Sequence, residues 1–335
     1  MKRVKVNILD IAGYVNLANA AVKAARGKHD RSDVRGFFAR CDENLNRLRK
    51  DILAGNAPYG VYNRFTIYDP KKRTIHAACF EDRVLHHALI NYVGPVLERA
   101  MVPCTFACRP GKGPLEASQW VQYCTRRFPW YVKMDIKSYF NSIHHNRLIR
   151  ILERRIKGKE VHKLISRIIE SYRESPGRGL PIGSLTSQHF ANYYLDGLDR
   201  FIMEDLRCHA YARYMDDMIW WCRERQTAKK TLKTVKEWVC KNRLLDLKEN
   251  PQINRSSRGV TFCGYRIFPG MIRLTGRRRK RYTIKKNQWE KAYLNGLIDE
   301  RQLQSAYASV YAGTVHADAG EWRKQQLQKY PTIEL

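Results

Sequence analysis

Ala210-Tyr211-Ala212-Arg213-Tyr214-Met215-Asp216-Asp217-Met218-Ile219-Trp220-Trp221 is the stretch that decides the fold. Apolar residues flank two adjacent acids, a pattern that reads as strand, turn, strand with Asp216 and Asp217 at the bend. Like charges side by side are unfavourable unless a cation or abundant water accompanies them. An isolated Asp-Asp pair is usually a solvated surface hairpin. Upstream, however, Trp130-Tyr131-Val132-Lys133-Met134-Asp135-Ile136 reads as a second buried strand ending in an acid. Three carboxylates in apolar settings, inside a very basic chain, point to a nucleotide polymerase.

The basic character is pronounced. Lys+Arg number 62 against 32 Asp+Glu, a formal charge of +30 over 335 residues. Such an excess favours a polyanionic partner, most commonly nucleic acid; a plain soluble basic protein or a membrane-surface binder is the alternative. The length suffices for a large core and two or three subdomains. Nine cysteines are scattered, and the Cys104/Cys108 pair has no second Cys/His pair at zinc spacing. Reduced, mostly buried thiols in a cytoplasm are expected. The basic N-terminus lacks the apolar core of a secretory signal. No apolar run approaches the roughly 20 residues that span a bilayer, so no membrane partner is expected.

Residues 1–60 read as helical, 61–75 as extended with a bend at Asp69-Pro70, and 82–97 and 115–127 as helices. Helices are also expected over 145–174, from Gly183 to about Leu206, and near 226–243, with a short hairpin at 259–269. The last segment opens with Arg277-Arg278-Arg279-Lys280-Arg281 and reads as amphipathic helix. The irregular alternation of strands and helices favours an α+β fold over a doubly wound sheet.

Phosphoryl transfer to a growing strand uses two divalent cations roughly 3.5–4 Å apart. Carboxylates from neighbouring strands are a natural cage for such hard ions. Asp135 and Asp216 are expected to bind both metals, with Asp217 in support and the backbone carbonyl of Ile136 as a further oxygen. Two Mg2+ ions are expected, with Mn2+ as a substitute. Taken alone, Asp135 would serve equally well as a helix N-cap before Lys137.

The order Asp135…Gly183…Tyr214-Met215-Asp216-Asp217…Gly264 resembles the palm of a reverse transcriptase. Asp135-Ile136-Lys137-Ser138-Tyr139-Phe140 looks like its first motif and Tyr-Met-Asp-Asp its third. The resemblance covers about 60–275 well and the C-terminal segment loosely. It implies a right-hand polymerase: an N-terminal helical extension (1–60), fingers (61–130 with part of 145–182), palm (131–274) and a helical thumb (275–335). Phe140 matches the steric gate against a ribonucleotide 2′-hydroxyl, and the Ser138 and Tyr139 amides would face the triphosphate. Without the family, Phe140 would read as a core aromatic. Lys72 and Arg73 match the triphosphate clamp, for which a guanidinium is well shaped. Lys248, more loosely, matches a fourth motif that aids proton transfer to pyrophosphate. Tyr214 and Met215 would meet the template–primer.

Within that family the second palm motif discriminates. Ile182-Gly183-Ser184-Leu185-Thr186-Ser187-Gln188 has Ile where many relatives carry Gln, and Gln188 where they carry Pro. This form is similar to the reverse transcriptases of diversity-generating retroelements, as are Arg83-Val84-Leu85-His86-His87, Ala107-Cys108-Arg109-Pro110-Gly111-Lys112-Gly113 and Phe262-Cys263-Gly264-Tyr265-Arg266. Cys263 departs from the more usual Leu. The resemblance implies dNTP substrates, a template-repeat RNA and its cDNA/RNA hybrid, errors concentrated at template adenines, and a small basic ring-forming accessory protein. It also implies a bacterial, archaeal or phage-encoded cytoplasmic enzyme. The physical expectation is that Ile182 forgoes polar contacts that Gln would make, so a correct pair gains less over a mispair.

A retron-type or group II intron-type enzyme, a defence-linked DNA synthase and a non-catalytic RNA-binding module are the rivals. The segment beyond Pro269 suits a thumb, whereas a ribonuclease H domain needs on the order of 100 residues. Arg277, Arg278, Arg279, Lys280 and Arg281, continued by Lys285, Lys286, Trp289 and Tyr293, are expected to track the nucleic-acid backbone, with salt-sensitive binding. Arg109 and Lys112 are expected to guide template. His86-His87 is expected to face a helix interior or a partner rather than a metal.

Overall fold

The computed structural model describes residues 3–68 and 72–333. The bend at Asp69-Pro70 lies outside the described residues. In chain order the elements are β1 (Val4–Lys5), α1 (Ile8–Ile11), α2 (Tyr14–Ala25), α3 (Ser32–Ala39), α4 (Cys41–Ala54), β2 (Tyr62–Tyr68), β3 (Lys72–Ala78) and α5 (Phe80–Glu98). There follow α6 (Pro114–Arg127), β4 (Trp130–Asp135), α7 (Tyr139–Ser142), α8 (His145–Glu153), β5 (Ile156–Lys157), α9 (Lys159–Glu170), α10 (Leu185–Tyr194) and α11 (Asp196–Arg200), which runs into a π-helical turn (Phe201–Asp205). The rest comprises β6 (Ala210–Tyr214), β7 (Asp217–Cys222), α12 (Arg225–Arg243), β8 (Gln252–Arg255), β9 (Val260–Phe262), β10 (Tyr265–Ile267), β11 (Ile272–Leu274), α13 (Gly276–Leu294), α14 (Glu300–Ala312) and α15 (Gly320–Lys329). This mixture of helix and sheet agrees with the α+β expectation.

Two compact units result. The first comprises Met1–Pro103, Asp135–Asp205 and Lys233–Glu249. Its centre is α5, against which α2, α1, α3 and α10 pack. Val84, Leu85, Leu89 and Val93 repeat at helical spacing and are wholly buried there. The β2–β3 hairpin pairs Phe65 with Ile75 and Tyr68 with Lys72. Further along, α8 and α9 bury Leu148, Leu152, Leu164 and Ile165. Beside them β1 and β5 form a parallel pair from residues about 150 positions apart, which local patterning does not reveal.

The second unit comprises Cys104–Met134, Leu206–Leu232 and Asn250–Leu335. It holds a four-stranded sheet of order β6-β7-β4-β8. The apolar run around Asp216-Asp217 is a hairpin, as expected, with Tyr211, Trp220 and Trp221 fully buried. β8, Gln-Ile-Asn-Arg, lies at the sheet edge, where a polar strand is tolerated and leaves no alternating signal. The segment near 260–269 is a hairpin, as expected, formed by β9 and β10, and β11 extends it to three strands beyond that range. The C-terminal segment is helical as expected. Thr275 caps α13, accepting the Arg278 N–H, and a reciprocal Asp299/Gln302 box opens α14.

Candidate active site

The β6–β7 ladder pairs Tyr214 directly with Asp217, leaving Met215 and Asp216 as a two-residue turn. Met215 is left-handed at φ +57 and Asp216 is not, so the turn has positive φ at its first position only. Glycine is favoured at that position, and a Met there stores roughly 1 kcal/mol of strain. Arg213, fully buried, donates from Nη1 to the Met215 carbonyl at 3.0 Å. The Arg213 backbone is also tied down, exchanging hydrogen bonds with Cys104 and Phe106. Asp217, the first residue of β7, pairs with Lys133 at 3.0 Å, and Lys133 also lies 5.8 Å from the Phe262 ring centre. The turn is thus held from behind while its carboxylates stay partly exposed.

Asp135 ends β4, the strand that neighbours β7 in the sheet. Beyond the sheet, its carbonyl accepts the Lys248 N–H at 3.0 Å, and the Lys137 N–H donates to Asp246 at 2.9 Å. Ile136, wholly buried, lies opposite Leu247 between these two bonds. In such a pair the residue's own N–H and C=O point away from its partner, which leaves the Ile136 carbonyl aimed away from Leu247. The Lys248 ammonium donates to Asp135 Oδ2, whereas Asp135 Oδ1 is buried with no hydrogen-bond partner. Among the described residues no three His, Cys, Asp or Glu side chains already converge as a metal cage. The donor set nevertheless suits a hard divalent cation. It consists of carboxylate oxygens, with Asp135 and Asp217 each now met by a lysine and one buried oxygen of Asp135 still to be satisfied.

The residues expected to bind nucleotide share the first unit. Ser138 is left-handed at φ +46 and precedes the single turn of α7. Tyr139 is buried, its hydroxyl donating to the Ala191 carbonyl, while half-exposed Phe140 meets it edge-on at 5.8 Å. The loop leading to α10 lies along α7: the Leu180 N–H donates to the Phe140 carbonyl at 2.8 Å. Two residues later the Ile182 carbonyl accepts the His76 N–H of β3 at 2.9 Å. Gly183, at φ +111, could not carry a side chain, since a Cβ would stand 2.8 Å from Ile75 Cγ2. Ser184 is buried, its hydroxyl bonded to His86 Nδ1 at 3.2 Å and Thr186 Oγ1 at 2.9 Å. His86 is interior, as expected, and its pKa is pushed down to about 3 by burial first, then by His87 and Arg83. Lys72 and Arg73 are exposed on β3, and Gln188 is half-buried on α10.

A family model described as reverse transcriptase (RNA-dependent DNA polymerase) matches residues 68–267. The chain belongs to the reverse transcriptase family. It is similar to Protein YkfC of Escherichia coli K12, 25% identical over 181 residues that cover 50% of this chain and 47% of that protein. It is also similar to a putative COX1/OXI3 intron 2 protein of Saccharomyces cerevisiae, 25% identical over 173 residues, covering 47% of this chain and 20% of that one. Group II intron-encoded protein LtrA of Lactococcus lactis subsp. cremoris is 26% identical over 140 residues, covering 40% and 23%. The chain therefore spans about half, or less, of the length of these curated relatives.

In this reverse transcriptase the outlying basic residues fall into distinct settings. Arg277, Arg279, Lys280 and Arg281 are exposed on the first turns of α13, the positive end of its dipole, where cations are unfavourable unless an anion joins them. Arg278 instead turns inward, donating to the Cys263 carbonyl at 3.0 Å and lying 4.0 Å from the Tyr265 ring centre. Lys286 does not belong to the expected basic track. It is buried and pairs with Glu290 at 2.7 Å, one turn on, and Glu290 also accepts from Tyr307 of α14. Arg109 is buried too, bonded to both Thr105 oxygens, and Lys112 lies 5.4 Å from the Phe106 ring centre. No helix of the described residues is long and apolar enough to cross a membrane.

Sequence reading overlooked Lys133, Arg213 and His76. Arg213 did leave a signal, because a charge inside an apolar strand must have a partner. Lys133 lies two residues before Asp135 and so on the same strand face. His76 contributes through its backbone, which no sequence pattern marks.

Proposed function

We propose that the chain is an RNA-directed DNA polymerase that extends a DNA strand on an RNA template from dNTPs. The observation that carries this reading is the two-residue turn bearing Asp216 and Asp217, braced by a buried arginine and set on the strand next to the one that ends in Asp135. Asp135 and Asp216 hold two divalent cations, Mg2+ or in its place Mn2+, with Asp217 and the Ile136 carbonyl in support. Once bound, such ions activate the attacking 3′-hydroxyl and stabilise the leaving oxygens. Arg73 and Lys72 clamp the triphosphate, the Ser138 and Tyr139 amides face it, and Phe140 excludes a 2′-hydroxyl. Lys248, whose ammonium bonds Asp135, supplies a proton to the departing pyrophosphate. Residues 61–130 with part of 145–182 act as fingers, 131–274 as palm and 275–335 as thumb, behind an N-terminal extension over 1–60. Tyr214, Met215, Arg109, Lys112 and the Arg277–Arg281 run serve the template–primer.

The finer reading is a diversity-generating enzyme that copies a template-repeat RNA with errors at adenines, assisted by a small basic ring-forming protein. It rests on Ile182-Gly183 and Gln188. The Ile182 backbone is fastened to β3 while its apolar side chain stays partly exposed, so that side chain offers a base pair no hydrogen bond. A group II intron-type enzyme is the second reading, favoured by the intron-encoded relatives.

The test is cDNA synthesis with Mg2+ and dNTPs on the RNA of the protein's own locus, with the neighbouring accessory protein added, followed by sequencing. Errors concentrated at template adenines, reduced in Ile182→Gln, are expected. Faithful copying would leave the polymerase and favour the intron-type reading. Product that ignores the template would refute both.

A further inference from the structure

The first unit carries a strongly basic cavity of about 730 Å³ lined from α8, β5 and α9, and none of the assigned site residues lines it. Its lining includes Arg3, Lys157, Lys159, Lys163 and Arg167, with Glu153 as its acid. Glu160 is adjacent but already paired with Lys163 at 3.0 Å. His162 and Ser166 complete the wall with Gly158, so no apolar side chain contributes. Small-molecule sites are lined predominantly by apolar and aromatic groups, and this one is not.

Three features show positive charge concentrated without local compensation. Lys5 and Lys157 are direct neighbours across the β1–β5 pair, a like-charge placement that weakens a strand pair. Lys159 begins the 12-residue helix α9, at the end of its dipole where a cation is disfavoured. Arg167 anchors one side of its guanidinium on the Gly55 carbonyl at 2.7 Å, while its Nε is buried with no hydrogen-bond partner. Cations from β5 and α9, joined by Arg3 just ahead of β1, thus surround one concavity, with Lys5 adding like charge beside Lys157, and a polyanion would relieve the repulsion.

We propose that this cavity is a second nucleic-acid site, holding the phosphodiester backbone of RNA outside the catalytic centre. Lysines and arginines on a concave surface, with no stacking platform, recognise phosphate and not base. The site grips the RNA while the nascent end is extended elsewhere, so it bears on affinity and salt dependence and not on the chemical step.

The test compares wild type with Lys157→Glu/Lys159→Glu, each in an Asp216→Ala background so that binding is read apart from synthesis. Both changes are mild for folding: the first turns a Lys–Lys neighbour pair into Lys–Glu, and the second places an acid in the first turn of α9. A matched melting midpoint verifies the fold. The probe is a blunt, fluorescein-labelled RNA hairpin that offers no recessed 3′ end. The double variant should bind about tenfold or more weakly, and its log-affinity against log-salt slope should be shallower by about two units. Lys157→Arg/Lys159→Arg should restore both. In the Asp216-intact protein, the primer-extension rate at saturating template should be unchanged. Unaltered affinity and slope would overturn the proposal. So would stabilisation of the melt by inorganic pyrophosphate that the double variant loses while hairpin binding is kept, which would mark a site for a small phosphorylated ligand.

Discussion

The β6–β7 and β9–β10 hairpins are both closed by two residues, Met215-Asp216 and Cys263-Gly264, and in both an arginine binds the carbonyl of the first turn residue. The two turns nevertheless follow different rules. Cys263 and Gly264 both take positive φ, +48 and +81, which matches the right-handed twist of the flanking strands and uses glycine where a side chain would collide. Arg278 and Thr275 fasten that turn from outside, Thr275 donating to the Gly264 carbonyl at 3.0 Å. The Met215-Asp216 turn has no glycine. It places Met where glycine is favoured and an acid beside a second acid, and it is braced by Arg213 from a fully buried position. One turn is optimised for the fold. The other sacrifices local preference for two carboxylates, which is where function is expected to lie.

The largest expected effect separates the two turns on activity. Asp216→Ala should lower the cDNA synthesis rate by at least about 10³-fold, because under the proposed two-metal reading it removes a ligand that stabilises transition-state charge. Its melting midpoint should hold or rise, since a like-charge neighbour has gone, and RNA binding should survive. Residual synthesis near the wild-type level would dissolve the distinction between a catalytic and a structural turn.

Gly264→Ala probes the other side. A Cβ there would stand 2.6 Å from Arg278 Nε and would also be held at φ +81. We expect a loss of about 2–3 kcal/mol in urea unfolding from steric displacement plus strain. An unchanged midpoint would mean that the Arg278 clamp is loose and that the contrast was overdrawn.

Acid sharpens the comparison, because the Ile182–Ser184 loop is anchored through Ser184 on a histidine that burial keeps neutral. His86 falls from 6.5 in an ordinary setting to about 3 when folded, chiefly through burial. The unfolded chain therefore takes up the proton first. The stability contributed by neutral His86 is complete above 6.5 and is lost as pH falls from there toward 3. Between pH 7.5 and 5 the loss should be about 2 kcal/mol, measured as urea midpoints. His87, pushed down to about 4 by burial and then by Lys23 and Arg83, acts in the same direction. A flatter pH profile in His86→Gln is the expected control; an identical profile would remove His86 as the source.

How far these sites were legible from sequence follows from which forces act locally. The β6–β7 hairpin and β4 were readable because long apolar runs around an acid leave few alternatives; Ile182-Gly183 was readable only through the resemblance, and the structure then gives its glycine a steric reason, the methyl of Ile75. The Arg277–Arg281 run was readable as charge, but not that Arg278 turns inward onto Tyr265. Lys286 was misread because its solvation depends on α14, which supplies Tyr307 to the shared Glu290. The lysine partners of Asp135 and Asp217 were opaque for the same reason. Ion pairs of residues 113 positions apart, such as Lys248 with Asp135, exist only once the chain has folded.

The smallest effect is also the most diagnostic of how the carboxylate turn is built. Met215→Gly removes a side chain from φ +57, a conformation glycine adopts freely. If the strain is real, the folded state should gain about 0.5–1 kcal/mol, less whatever the greater freedom of glycine returns to the unfolded chain. The Arg213 bond goes to the residue 215 carbonyl and is independent of the side chain, so the brace survives the change. A stabilised protein that synthesises cDNA more slowly would show that Met215 is kept for contact with the template–primer at the expense of stability. A destabilised protein would show instead that packing of the Met side chain outweighs its backbone strain, and the two turns would then differ in chemistry alone.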